Sequence, residues 1–216
     1  MMKLTRAAWL TDGAALAAHL GVRRLDYSRG EAGQQTRPMV TELAEGALLI
    51  APLFLGFILH GICIRLGALR GFATPIKRKW FGENKTYRGV ICVALGTAVG
   101  FVVIDPRFLS LGGGHRATEL ALLGLLVGTA AMLAELPNSF LKRRMGIAPG
   151  AQTGGIRGVA FHVLDQIDVV FGAWAVLAWV ARPTVGRLGG TLGTVYIGHQ
   201  LVSLVGYWLG MRTSAR

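Results

Sequence analysis

Hydrophobic and polar positions in this chain do not alternate over short elements. They separate into long apolar runs divided by polar, mostly basic connections. Ala44 to Leu66 is the first run near the roughly 20 residues needed to cross a bilayer, and Pro52 inside it is tolerable where neighbouring helices accommodate a kink. The second runs from Gly89 to Ile104 and is closed by Asp105-Pro106. Ala117 to Leu136 is the third, Val163 to Ala181 the fourth and Leu188 to Leu209 the fifth. Only helices or closed barrels satisfy their backbone groups in lipid. The pattern therefore predicts an all-α, polytopic integral membrane protein with about five transmembrane helices. Gly96 and Gly100 lie four apart, as do Gly124 and Gly128, a small-xxx-small spacing that predicts close helix packing.

Composition agrees with this solvent. Of 216 residues, 52% are hydrophobic and only 16% charged, with a mean hydropathy of +0.49, which excludes an ordinary soluble domain. Cys63 and Cys92 both lie inside apolar runs, so neither a disulfide framework nor a zinc site is expected. Residues 1–43 read as a polar, partly amphipathic lead-in. Their apolar patch, Ala14 to Leu20, is short, is broken by His19 and lacks a convincing cleavage pattern, so it is not read as a signal peptide. Residues 44–216 then form one membrane domain.

Charge changes the picture by its placement. Lys and Arg total 23 against 11 acids, giving +12, and the excess collects in loops. The connection Gly67 to Arg88 holds Arg70, Lys77, Arg78, Lys79, Lys85 and Arg88, whereas Asp105 to Arg116 holds Arg107 and Arg116 alone. The positive-inside rule puts the first on the cytoplasmic face. With five spans, the connection Pro137 to His162, with Lys142, Arg143, Arg144 and Arg157, falls on that same face.

Two acids belong to the same neighbourhood. In Leu164-Asp165-Gln166-Ile167-Asp168 the carboxylates of Asp165 and Asp168 are three residues apart and share one face of a helix. Intramembrane acids point to function. An alternative is a helix that begins after Asp168, leaving both acids in water at a favourable dipole end. Phe81-Gly82-Glu83-Asn84-Lys85-Thr86-Tyr87-Arg88-Gly89 sets amides, a hydroxyl and two cations before a helix, where they can face a phosphate. The Walker pattern is absent, and the same residues also suit a snorkelling basic collar. Glu135-Leu136-Pro137-Asn138-Ser139-Phe140-Leu141-Lys142-Arg143-Arg144 adds an acid, an amide, a hydroxyl and three cations. A metal-bound triphosphate needs this mixture, carboxylates for Mg²⁺ and cations for phosphate oxygens.

Taken in order, Gly82-x-Asn84-Lys85-Thr86-x-Arg88-Gly89, Ser139-Phe140-x-Lys142-Arg143-Arg144-x-Gly146-Ile147-x-Pro149-Gly150 and Asp165-Gln166-Ile167-Asp168 resemble the CDP-archaeol synthase family. The resemblance covers roughly Pro52 to the carboxyl terminus. It implies transfer of a cytidylyl group from CTP to a phosphorylated membrane lipid, phosphatidate-like or ether-linked, with release of pyrophosphate and with Mg²⁺ as cofactor. It further implies metal ligation by Asp165 and Asp168. Lys142 and Arg143 join those acids as catalytic residues, and Asn84, Lys85, Thr86, Arg88, Asn138, Ser139 and Arg144 bind substrate. The chain departs from the family pattern at Ala134-Glu135, where Gly-Asp is usual, and at Asn138, where an acid often stands. Glu135 is therefore a third candidate metal ligand with a longer reach.

The expected partners are CTP, a phosphorylated lipid and the bilayer, without nucleic acid; a homodimer is an open assembly state. The expected location is a prokaryotic-type plasma membrane with the site facing the cytoplasm. Two alternatives stand beside the enzyme: a transporter component using Asp165 and Asp168 as a cation or proton site, and a non-catalytic membrane scaffold. His60, His115, His162 and His199 lack metal-ligand spacing, and only His162 lies near the acids. Trp174, Trp179 and Trp208 read as packing or interfacial residues.

Overall fold

The computed structural model describes residues 38–104, 115–149, 151 and 154–208. The expectations for residues 1–37, for the loop around Arg107 and for the end of the last span at Leu209 lie outside them. Among the described residues there are six α-helices and no strand. They are α1 (Met39–Arg65), α2 (Arg78–Phe81), α3 (Tyr87–Val103), α4 (Ala117–Arg144), α5 (Gly155–Leu177) and α6 (Val185–Trp208), with a 3-10 turn at Arg70–Phe72. All but the four-residue α2 fall on the five predicted spans.

By length and hydropathy, α1, α4 and the Gly158–Leu177 part of α5 can each cross a membrane, and α3 is a shorter apolar helix of 17 residues. Their outward faces carry large apolar side chains, among them Ile58, Val99 and Phe171. In water such a surface would be costly; against lipid tails it is matched. This is an integral membrane protein.

Three helices depart from the expected bounds. α1 begins at Met39 rather than Ala44, because the amides of Thr41 and Glu42 find the Pro38 carbonyl. α4 does not stop at Leu136 but runs through Pro137 to Arg144. Its end is a Schellman motif: Gly146, at φ 75°, donates to Arg143 O at 3.1 Å, and Ile147 donates to Lys142 O at 3.0 Å. The basic run is therefore helix, not loop. α5 begins at Gly155, eight residues before Val163, and ends at Leu177 instead of Ala181.

Helix order follows from where the small residues lie. α3 packs between α1 and α4, α5 packs on the other side of α4, α6 packs on α1, and the ring closes only lightly between α5 and α6. A Cβ at Gly96 would sit 2.6 Å from Gly56 Cα, and one at Gly100 would sit 2.8 Å from Pro52 O, so this pair admits α1. Cβ atoms at Gly124 and Gly128 would fall 2.5 Å from Ala98 Cα and 2.8 Å from Ala94 Cα, so the second pair admits α3. Both predicted glycine pairs are backbone contacts. Gly128→Leu should destabilise the protein by about 3 kcal/mol, the upper end for overpacking. Gly61→Ala, with open space around it, should be neutral or gain up to about 1 kcal/mol. Unfolding in detergent micelles measures both.

The core has Leu49, Ile50, Leu53, Val93, Phe101, Val127 and Leu177 fully buried between the helices. Beyond it, at the end where α1 and α6 begin, Arg187 holds Glu45 (Nε and Nη2 at 2.8 and 2.7 Å from Oε2). Trp174 Nε1 donates to Thr191 Oγ1 at 3.2 Å, a packing role as expected. Most of the other polar residues gather at the opposite end.

Candidate active site

The unbroken course of α4 turns its motif into a surface. Glu135, Ser139 and Lys142 are spaced four and three residues apart, so they lie on one helical face. Asn138 and Arg143 flank them. Asp165 and Asp168 lie about three turns inside α5. The helix dipole acts only within the first turn, so the alternative of two acids at a helix start does not hold.

Side chains of α4 hold the acids of α5. Asn138 Nδ2 donates to Asp165 Oδ1 at 2.7 Å and to Asp168 Oδ2 at 3.1 Å, which places both carboxylates on one face. Lys142 Nζ donates to the two oxygens of Asp165 at 2.5 and 2.6 Å, and it also lies over the Phe161 ring at 5.4 Å. Asp168 Oδ1 accepts from the Val169 amide at 2.7 Å.

The first basic loop arrives from the other side of α4. Thr86 caps α3, its Oγ1 accepting from Gly89 N at 3.2 Å, and the Ile76 amide donates to Lys85 O at 2.8 Å. These contacts fix Lys85, whose Nζ pairs with Glu135. α2 docks on α4 through Trp80 and Phe140, ring centroids 5.9 Å apart. Gly82 ends α2 at φ 89°, and a Cβ there would meet Pro149 Cγ at 3.1 Å. The Gly82 loop and the linker after α4 therefore touch.

A cavity of about 440 Å³ lies between these parts, a volume typical of small-ligand sites. Its polar half is lined by Asn84, Lys85, Glu135, Ser139, Lys142, Arg143 and Asp165. Seven of the sequence-predicted site residues thus meet in one space. Arg143 is half-buried, with Nε and Nη1 unpartnered among the described residues. The other five predicted residues lie outside the lining. Asn138 and Asp168 stand behind Asp165; Thr86 is spent on its cap; Arg88 is half-buried in the first turn of α3. Arg144 is exposed, its guanidinium 5.1 Å over the Phe140 ring.

The other half of the cavity was not expected. Phe54 and Phe57 of α1, Val169 of α5 and Val195 and Val202 of α6 form an apolar wall, with Gln166 and His199 set into it. His162 lies at the rim, its ring 6.1 Å from that of His199 and 6.2 Å from that of Tyr196. Spacings such as 195, 199 and 202 are also those of ordinary core positions, so periodicity alone does not single them out.

Among the described residues no three His, Cys, Asp or Glu side chains are gathered as a metal cluster, and Glu135 is engaged by Lys85. It is the Nδ2 of Asn138, not its Oδ1, that faces both carboxylates; Oδ1 is buried without a partner among the described residues. Two carboxylates drawn to one face suit a hard divalent cation that takes few protein ligands, as Mg²⁺ does.

Apolar spans, and a cavity at one bundle end where three cations face clustered carboxylates, suit a membrane-embedded site for a polyanionic substrate. Comparison with known proteins makes the class specific. The CarS-like CDP-archaeol synthase family model matches residues 76–214. The CDP-archaeol synthase of Methanoregula boonei is 34% identical over 166 residues, covering 68% of this chain and 92% of that protein. The CDP-archaeol synthase of Methanoculleus marisnigri is 33% identical over 164 residues (67% and 91%), and that of Methanosarcina mazei 28% over 153 (62% and 81%). No solved structure matches. The chain belongs to the CDP-archaeol synthase family. It is an enzyme of that nucleotidyltransferase class, which sets the transporter alternative aside.

Proposed function

We propose that this protein transfers the cytidylyl group of CTP to the phosphate of a glycerol ether lipid, giving a CDP-activated lipid and pyrophosphate. The relatives' shared name supports the acceptor class, since it states CDP-archaeol as the product. The observation that carries the reaction is the two-sided cavity, with Lys85, Lys142, Arg143 and Asp165 on one side and Phe54, Phe57 and Val202 on the other. A charged nucleotide and the phosphate of a lipid need those two surfaces to meet.

In this reading a non-bridging oxygen of the lipid phosphate attacks the α-phosphorus of CTP. A new P–O bond forms, the α–β bridging P–O bond breaks, and pyrophosphate carries away the electron pair. The nucleophile is already an anion, so no general base is required. The protein's share is orientation and charge neutralisation. Asp165 and Asp168 would hold Mg²⁺, which when bound supplies charge neutralisation on the nucleotide phosphates. Asn138 holds the two carboxylates together. Lys85 and Arg143 bind triphosphate oxygens, and Lys142, already against Asp165, screens the leaving pyrophosphate. Ser139 donates its hydroxyl to a phosphate oxygen. The basic flanks of this end of the bundle support a site on the cytoplasmic face of a plasma membrane, where CTP would arrive from water while lipid tails stay in the bilayer.

Purified protein in mixed micelles, given CTP, Mg²⁺ and a panel of ether and ester glycerol phosphates, should yield CDP-lipid with the ether acceptors preferred. Equal or better use of the ester series would overturn the acceptor assignment. Chelation of divalent cations should abolish the product, and Mg²⁺ should restore it. Arg143→Gln should lower kcat/KM about 100-fold, by analogy with loss of one donor to developing charge. Arg144→Gln, on the stacked and exposed neighbour, should change it less than about threefold.

A further inference from the structure

Gln166 is a buried polar residue that nothing among the described residues explains. It is 5% exposed, it lines the cavity, and neither Oε1 nor Nε2 has a partner among the described residues. A buried amide left unpaired costs stability, and an apolar residue of similar size would avoid that cost. Its surroundings give the kind of ligand that would satisfy it. On its own helix Gln166 adjoins Asp165 on one side and has Val169 one turn away on the other. Across the cavity stand Phe54, Phe57, Val195 and Val202. The amide therefore sits where the charged half of the cavity gives way to the apolar half.

We propose that Gln166 is a specificity-determining residue that hydrogen-bonds the glycerol oxygens of the lipid acceptor, and so sets the acceptor's phosphate against the Asp165 end of the cavity. The inference rests on the cytidylyl-transfer reading above. Two observations favour lipid over the cytosine base as the partner. The wall that holds Gln166 is built by α1, α5 and α6, and α5 and α6 close on each other only lightly. α5 and α6 also carry exposed apolar side chains, among them Val163, Leu164 and Leu201, of the kind that suits lipid tails. The loop groups Asn84 and Pro149, by contrast, border the cavity at the water-facing end of the bundle, where a nucleotide enters. A glycerol phosphate carries ether or ester oxygens within a few bonds of its phosphorus. An Nε2 donor beside the carboxylates reaches oxygens placed there, while the tails extend along the apolar wall.

Gln166→Leu, with Gln166→Met as a second variant of different shape, tests this in the full-length protein in mixed micelles. The readouts are the KM for lipid phosphate, the KM for CTP and the unfolding midpoint of the ligand-free protein. The expected result is a rise of about tenfold in the lipid KM, as for loss of one hydrogen bond in a dry site. The CTP KM should stay within twofold, and the unfolding midpoint should be unchanged or higher. With a long-chain alkyl monophosphate, which has no glycerol oxygens, wild type and variant should behave alike. A rise in the CTP KM instead would make Gln166 a base reader and overturn the proposal. Unchanged kinetics in both variants, or a lowered midpoint in both, would overturn it in favour of a structural residue. Wild-type protein that forms no CDP-lipid would refute the underlying reaction; active wild type with normal variants would refute the role of Gln166 alone.

Discussion

Asp165→Asn should lower kcat for CDP-lipid formation by about 100- to 1000-fold, the range found when one electrostatic contact to a charged transition state is lost. The substitution keeps the shape of the side chain and one hydrogen-bond acceptor. What it removes is the negative charge that Lys142 and Asn138 both address. The Asp165 side chain is 42% exposed, so its ion pair contributes little to folding, on the order of 1 kcal/mol or less. The unfolding midpoint should therefore stay within a few degrees while turnover collapses. Asp168→Asn, one turn further along and held by the same Asn138 amide, should have an effect of the same order and should raise the Mg²⁺ concentration needed for half-maximal rate. Full activity in either variant would remove the metal assignment.

The second large effect separates structure from chemistry at Lys85. Its ammonium pairs with Glu135 across 50 residues of sequence and ties the first basic loop to α4. Both side chains are largely buried. Lys85→Met removes a cation from the triphosphate path and leaves Glu135 unpaired near Asp165 and Asp168. Activity should fall at least about 100-fold, and stability should fall by about 2 kcal/mol, less than for a fully buried orphaned charge. Lys85→Met combined with Glu135→Gln should recover most of the stability, because no charge is then left alone, yet remain inactive. Recovery of activity along with stability would make Lys85 a strut rather than a phosphate ligand. Activity of Glu135→Gln alone shows whether that carboxylate also serves the metal, since the variant keeps the length of the side chain.

Much of this arrangement can be read in the sequence because membrane folding leaves few choices. Apolar runs must become helices, and the two glycine pairs at 96/100 and 124/128 marked faces of close helix packing, whose partners the structure supplies. Lys85, Ser139, Lys142, Arg143 and Asp165 could be named together because three motifs in order resemble one family; by residue type alone the same cations also suit a snorkelling basic collar. What was not legible has equally physical causes. Proline usually ends a helix in water, so the passage of α4 through Pro137 was missed, and with it the common face of Glu135, Ser139 and Lys142. The glycine-rich stretch before His162 hid the true start of α5, and Asp165 and Asp168 consequently looked like residues at a helix mouth. The apolar wall of Phe54, Phe57, Val195 and Val202 has the periodicity of any buried helix face. Nor does residue type distinguish Arg143, which lines the cavity, from Arg144, which stacks on Phe140; only their rotation about α4 does.

The central claim is that the α-phosphate of CTP ends on the lipid. Purified protein should be supplied with a glycerol ether lipid phosphate, Mg²⁺ and CTP labelled with radioactive phosphorus at either the α or the γ position. The account predicts that α-label moves into the organic-soluble lipid fraction and γ-label is recovered as pyrophosphate, in equal amounts. Lipid labelled from the γ position, or free inorganic phosphate with no labelled lipid, would mean a kinase or a nucleotidase and would contradict the account.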